Sequence, residues 1–460
     1  MNLRCALLMF SILSLGAAVC GCSPASAPPA PPEKQPAAVQ AAAAPPSAPQ
    51  VVVQAPSQAS ATGSYEQPPV VNVSELIPSG SLSGPGFLVQ QQVPTNGAMG
   101  EYTIVADASV FHDDAGTYQV ESLDMLKIRL SEIPAIAQLD NASQTAIFAQ
   151  ALAKSAERPV TDAAHMVEHP MDTITGLPSG VGQLFGRVGM GANELYATAT
   201  NTSENGGVRA EQTAEESGAI TVTALGYDQI RRSLARKLHV DPYTSNPILK
   251  KKLNHVAWVM FSARLAVDTV ITVAVPGSIL ISGTEFTEDM VYQTPKGDLI
   301  LMVQKKLKKF GLSQTEIADF THNPAIPLSL QVTAVNDLDK LGSVRGRKRV
   351  AVQLGNVLTE YQARFLVTSI QMLTLWNQQR SHIVRVEIPG VIVARDRKGE
   401  TILPAPIDYL SWTERIAGFA TDPALLARHN RVLWIPAKLT PLATQQLSAN
   451  GWTIQTGDQP

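Results

Sequence analysis

From Ser23 to about Pro85 the chain is built from proline, alanine, serine and glutamine with little else, as in SPASAPPAPPEKQPAAVQAAAAPPSAP. A segment of this composition offers too little apolar surface to offset the entropy of ordering it. It confines folding to roughly 375 of the 460 residues. Proline-rich backbone extends by ~3 Å per residue, so about 60 such residues reach roughly 100 Å. A tether of that length suits a body that works at a distance from an anchor.

The residues before the tether supply the anchor. MNLR gives a charged start, ALLMFSILSLGAAV is an apolar run too short for a comfortable membrane span, and small residues follow, which is the layout of an export signal. All three cysteines, Cys5, Cys20 and Cys22, fall here. LGAAVCGC resembles a bacterial lipobox, in which a small residue precedes the cysteine that is lipidated after cleavage. The resemblance implies residues 1–21 as signal peptide and Cys22, preceded by Gly21, as the lipid anchor; cleavage at Cys20 or near Ala18 are the alternatives. Ser23 after the anchor implies an outer-membrane lipoprotein facing the periplasm. Beyond position 22 the chain has no disulfide, no thiol nucleophile and no thiolate ligand.

Net charge is −3 and 45% of residues are hydrophobic, so bulk electrostatics give no case for nucleic acid. The expected class is α+β. FLVQQQV, EYTIVADASVF and TYQVES read as strands of a small antiparallel sheet, separated by the turns PTNG and HDDAG. Two amphipathic helices follow, one carrying Leu123, Leu126, Leu130, Ile133 and Ile136 with a kink or break at Pro134, the other presenting Ile147, Phe148, Ala151 and Leu152 on one face. This N-terminal lobe spans 86–197. A polar linker, 198–225, leads to a helix-rich lobe, 226–460, which ends in a hairpin turned by RKGE and a strand–helix–strand unit.

Three stretches raise questions of chemistry. His112, Asp113 and Asp114 have metal-ligand side chains, but an Asp-Asp-Ala-Gly turn accounts for them. In HMVEHP, His165 and His169 lie four apart with Glu168 beside them, a pattern in which two imidazoles share a metal while the carboxylate acts as base on bound water. Pro170 ends the helix that would carry His169, and no glutamate lies between Glu216 and Glu285 to complete the set. Third, the glycines at 176, 180, 182, 186, 189 and 191 match no dinucleotide or P-loop spacing, so no cofactor is expected.

The strongest charge feature lies between Asp228 and Leu253, where Arg231, Arg232, Arg236, Lys237, Lys250, Lys251 and Lys252 face only Asp228 and Asp241. A second cluster, RGRKR at 345–349, reads as a loop between helices. In an exported protein these point to anionic lipid head groups, an anionic envelope polymer or a partner protein. The apolar segment 253–281 reads as a core helix, in which Arg264 and Asp268, four apart, would pair in the interior with each other or with groups from neighbouring elements.

GLPSGVG with its preceding helices, VDPYTSNPIL, and the VLWIPA to GWTI ending resemble a group of exported bacterial proteins. The resemblance spans residues 100–456 and carries no catalytic residues to transfer. There is no G-x-S-x-G nucleophile and no second histidine cluster. The sequence therefore predicts a lipid-anchored envelope protein that binds or scaffolds, with a zinc-dependent hydrolase using His165, Glu168 and His169 as the alternative.

Overall fold

Alternating apolar residues in Tyr102-Thr-Ile104 and in Val89 and Val120 turn one face of an N-terminal sheet inward, and all four side chains are buried. A computed structural model describes residues 65–77, 81–156, 226–271 and 285–457, within the unit Tyr65–Pro460. The sheet is antiparallel, in the order β2 (Ser83–Gly84), β3 (Phe87–Val89), β5 (Glu101–Ala106), β6 (Gly116–Glu121). A separate pair joins β1 (Val70–Asn72) to β4 (Gln92–Pro94).

The expected tether thus ends earlier than 85. Val71 and Val73 are buried in the core, and the Glu66 carboxylate accepts from the Trp412 N–H and the Thr440 hydroxyl. A short VVNV run within proline-rich sequence provides enough apolar surface once a pre-existing core is there to receive it.

Helix α1 (Leu123–Ser143) starts at Ser122, whose hydroxyl accepts from Met125 N–H, and continues through Pro134 without a break. It buries Leu126, Ile133 and Ile136 as their spacing predicts. In α2 (Ala146–Ala156) Phe148 and Ala151 are buried, while Ile147 is 47% exposed and does not share their face. Helix α3 covers 226–237, and α4 (Pro247–Ala263) starts from the Asn246 cap with proline at its first position, a strong start signal.

The single core helix expected over 253–281 is not formed. α4 ends at Ala263, Arg264 takes the left-handed conformation at φ 56°, and one further turn, Val267–Val270, follows. Arg264 is exposed. The Asp268 side chain is 82% exposed and pairs with Lys237 at 2.6 Å. The two charges mark a helix end in solvent, which removes any need for them to neutralise each other. An exposed pair such as Lys237–Asp268 contributes only about 0–1 kcal/mol. No helix among the described residues is long and apolar enough to cross a membrane.

The helical body continues with α5 (Glu285–Gln293), α6 (Lys296–Lys309), α7 (Gln314–His322), α8 (Leu328–Lys340), α9 (Arg347–Gly355) and α10 (Glu360–Gln379). α8 is its axis: every residue from Leu328 to Leu338 is buried. Its polar side chains are bonded accordingly, Gln331 Nε2 to the carbonyls of Thr321 and Ile326 and Thr333 to that of Ser329.

In the C-terminal sheet β7 (Ile383–Glu387), β8 (Val393–Asp396) and β9 (Thr401–Pro404) pair antiparallel in turn, and β9, β10 (Arg431–Ile435) and β11 (Trp452–Thr456) pair in parallel, which gives the order β11-β10-β9-β8-β7. The expected hairpin and strand–helix–strand unit are both present, the latter closed by α12 (Pro441–Ala449). Ile383, Val386, Ala394, Ile402 and Trp434 pack into the main core, whereas Val393, Leu403, Leu433 and Ile435 join a second cluster with Trp412, Ala417 of α11 (Glu414–Ala420) and Leu447. The main core draws on residues from Val71 to Ala151 and from Leu234 to Trp434, so the two expected lobes share one interior. The expected linker, 198–225, lies outside the described residues.

Asp408 joins the N-terminal sheet to the C-terminal half. It is buried, and Oδ2 accepts from Gly100 N–H (2.9 Å), Leu123 N–H (3.0 Å) and the Tyr102 hydroxyl (3.2 Å). Burial, aided by the nearby Asp124, pushes its carboxyl up to about 6 against the opposing pull of the hydrogen bonds. The folded state therefore holds this proton more tightly than the unfolded chain does, and the contribution of Asp408 to stability falls as pH rises from about 4 through 6. Asp408→Asn keeps an acceptor and removes the titration. The wild type should lose about 2–3 kcal/mol relative to this variant between pH ~4 and ~7 in denaturant unfolding. A difference that stays flat with pH would contradict the assignment.

Candidate anion-binding surface

Among the sequence-predicted metal ligands, His112–Asp114 forms a single 3-10 turn, and Asp114 accepts an ion pair from Lys252 at 2.8 Å. Among the described residues no group of three or more His, Cys, Asp or Glu is placed to hold a metal. His165, Glu168 and His169, the glycine run at 176–191, and Cys20 and Cys22 lie outside the described residues.

The basic residues between Asp228 and Leu253 turn out to be largely engaged within the fold. The buried Arg232 pairs with Asp228 at 3.0 Å and donates to the Tyr292 carbonyl at 2.8 Å. Arg231 donates to the Pro242 carbonyl and lies over the Tyr243 ring. Lys252 bridges Asp114 and Asp140, Lys237 pairs with Asp268, and Arg236 lies 3.9 Å from Asp289. Of the seven, Arg231, Lys250 and Lys251 form no ion pair among the described residues, and Arg231 is held instead by the Pro242 carbonyl and the Tyr243 ring. The cluster is concentrated in sequence because it ties α3 and α4 to their neighbours, not because it forms one open surface.

The second cluster behaves differently. Arg345 and Gly346 lie in a loop, and Arg347 opens α9. The loop is pinned to the edge of β7, where Arg345 N–H donates to Val384 O (3.2 Å) and Val386 N–H to Arg345 O (2.8 Å). Gly346 has φ +92° in this contact, and a Cβ there would lie 1.9 Å from Val386 O. Arg347 reaches back over the Phe310 ring (4.3 Å) and to the Gly342 carbonyl (2.6 Å), which seats it against the ends of α6 and α8.

The end of α6 reads KKLKK, and the cations suit the negative end of the helix dipole. Lys306 and Lys309 pair with Asp339 at 3.2 and 2.8 Å, and Lys348 with Glu316 at 3.0 Å. Lys305, Lys308, Arg345 and Arg349 are exposed and make no ion pair among the described residues. Asp339, which Lys306 and Lys309 bond and Arg347 approaches to 3.9 Å, together with the stacking of Arg347 on Phe310, brings 305–309 and 345–349, stretches some forty positions apart in the chain, into one basic band. The sequence signal for the first of these, the KKLKK run, was open to reading but looks like an ordinary solvated helix end.

Beyond Arg345 the band meets a cavity of about 190 Å³ on the sheet face opposite the main core, lined among others by Arg385, Glu387, Arg395, Thr401, Arg428 and His429. Glu387 accepts from Arg385 at 2.5 Å and from Arg428 at 2.6 Å. The bonded Arg428 guanidinium holds its carboxyl below the usual range, so it stays ionised. Arg395 is exposed and has no such partner among the described residues. Sequence reading passed over these arginines because their convergence depends on strand register.

A buried polar network sits elsewhere, at the VDPYTSNPIL segment. Glu132 accepts from Arg129 (2.9 Å), from Asn246 Nδ2 (2.8 Å) and from the Thr244 hydroxyl. Arg129 also donates to Ser245 Oγ (2.7 Å) and Glu360 (3.2 Å), and Glu360 holds Arg364 at 2.6 Å. Arg364 and Arg129 outweigh burial to keep the Glu360 carboxyl below its usual range. The network joins α1, α10 and the cap of α4, and serves the architecture. Compared with known proteins, the chain matches no family model, no curated protein and no solved structure.

Proposed function

We propose that this chain is an exported, lipid-anchored envelope protein. In this reading Cys22 fixes it to the outer membrane, and its folded body docks on anionic lipid head groups through the basic band. The observation that carries the reading is the group of exposed cations at Lys305, Lys308, Arg345 and Arg349, which make no ion pair among the described residues. Basic side chains beside an anionic bilayer contribute about 1 kcal/mol each. The proline-rich tether gives the body the reach to find such a surface.

The test uses the full chain carrying Cys22→Ala, so that no acyl chain contributes, in co-sedimentation with vesicles of neutral lipid alone or with anionic lipid added. Binding should require the anionic lipid. Reversing charge with Lys305→Glu and Arg349→Glu together should weaken it by about 2 kcal/mol or more. Reversal at Lys250 and Lys251 should leave it nearly unchanged. The opposite pattern would move the docking surface to α4, and binding to neither vesicle would sink the reading.

A further inference from the structure

The register of the C-terminal sheet sets Arg345, Arg385, Arg395 and Thr401 in one cross-strand row, because Arg345 is the bridge partner of Arg385, Arg385 of Arg395, and Arg395 of Thr401. Like charges directly opposite on neighbouring strands repel and destabilise a sheet. Here three guanidinium groups stand on adjacent positions, and among the described residues only Arg385 has a carboxylate partner, Glu387. The same row opens into the cavity, where Arg428 approaches from the chain segment after α11.

Glu387 does not neutralise the site so much as orient it. Arg385 spends Nε on it, and Arg428 spends Nη2 on it and Nε on the Ala424 carbonyl. Each guanidinium carries five donors in a planar fork, so both retain N–H groups, and Arg395 has no ion-pair partner among the described residues to occupy its own. A cavity of about 190 Å³ is smaller than the ~300 Å³ or more typical of drug-sized ligands. It has room for one compact anionic group.

We propose that this cavity is a binding site for a phosphoryl group, taken as inorganic phosphate or as a phosphomonoester, with Arg395 as its principal ligand and Arg385 and Arg428 as flanking donors. Planar forks match the oxygens of a phosphoryl group in pairs of parallel hydrogen bonds, which a lysine does not reproduce. A bound dianion would also convert the repulsion within the arginine row into attraction. The site adjoins the docking band but stands on its own geometry, and neither needs the other.

Calorimetric titration of the purified full chain with inorganic phosphate tests it. Saturable binding at one site per chain is expected. Arg395→Ala should weaken it at least tenfold, and Arg395→Lys, which keeps the charge but loses the fork, should also weaken it clearly. Arg395 is exposed and makes no ion pair among the described residues, so these variants should fold, and unchanged thermal unfolding without phosphate checks that they do. The double variant Lys305→Glu/Arg349→Glu should bind phosphate as the wild type does, whatever becomes of its docking on vesicles. Preference for neutral vesicles doped with phosphatidic acid over undoped ones, lost with Arg395→Ala, would place the phosphoryl group on a lipid; phosphate binding without it would place the group on a soluble ligand. Absence of saturable phosphate binding, unaltered affinity in Arg395→Ala, or equal displacement by acetate would overturn the proposal.

Discussion

Glu132→Ala should destabilise the folded body by about 3–5 kcal/mol, the range for removing one partner of a buried ion pair. Glu132 is 2% exposed, and three groups donate to it: Arg129, Thr244 and Asn246. Its removal leaves the partly buried Arg129 guanidinium short of one carboxylate and two neutral donors short of an acceptor. Burying an unsatisfied polar group carries its own cost of about 1–3 kcal/mol. Glu132→Gln retains acceptor capacity toward Thr244 and should cost less. Denaturant unfolding of both variants measures this, and a loss below about 1 kcal/mol in Glu132→Ala would mean that water reaches the network and that it does not organise the fold.

Gly346→Ala is expected to cost about 3 kcal/mol, from a left-handed backbone that disfavours any Cβ and from overpacking at the sheet edge. The clash is with backbone, 1.9 Å from Val386 O, so no side-chain rotation relieves it. Gly342 supplies the control. It too has positive φ, 75°, but a Cβ there would meet nothing within 4 Å. Gly342→Ala should therefore cost only the conformational part, about 1–2 kcal/mol. If the two substitutions cost the same, the close approach of the 345–346 loop to β7 is wrong. That approach also sets Arg345 beside Arg385, so Gly346→Ala should disturb the arginine row as well as the stability.

Much of the fold was legible because long elements repeat their apolar residues with a clear period. α6, α8 and α10 follow from helical spacing, and the β8–β9 hairpin from RKGE between alternating strands. The failures have specific causes. α4 stops at Ala263 without glycine or proline, because Arg264 itself adopts the left-handed cap; an apolar run continuing past it then looks like one long helix. β1 was hidden in proline-rich composition, since a three-residue strand owes its stability to the core it joins.

The candidate site was legible only in part. RGRKR announced itself as a charge run, but its separation from Lys305 is bridged by the packing of α6, α8 and α9, which no local pattern encodes. Arg385 and Arg395 sit in ordinary alternating strands. Only the register, with its bulge between Ile383 and Arg385, places them opposite one another. Conversely, the cluster at 231–252 looked open in sequence because its partners Asp114, Asp140, Asp268 and Asp289 are distant in the chain.

The ionic-strength dependence of docking tests the central claim most directly. The Debye length is ≈ 10 Å at 0.1 M salt and about 3 Å at 1 M, so attraction between an exposed basic band and an anionic surface should be screened across that range. With the Cys22→Ala full chain, binding to vesicles containing anionic lipid should fall steeply from about 0.05 M to about 0.5 M salt, and the fall should be much shallower in Lys305→Glu/Arg349→Glu. Binding that does not change with salt, or that changes equally in wild type and variant, would contradict an electrostatic docking role for the band.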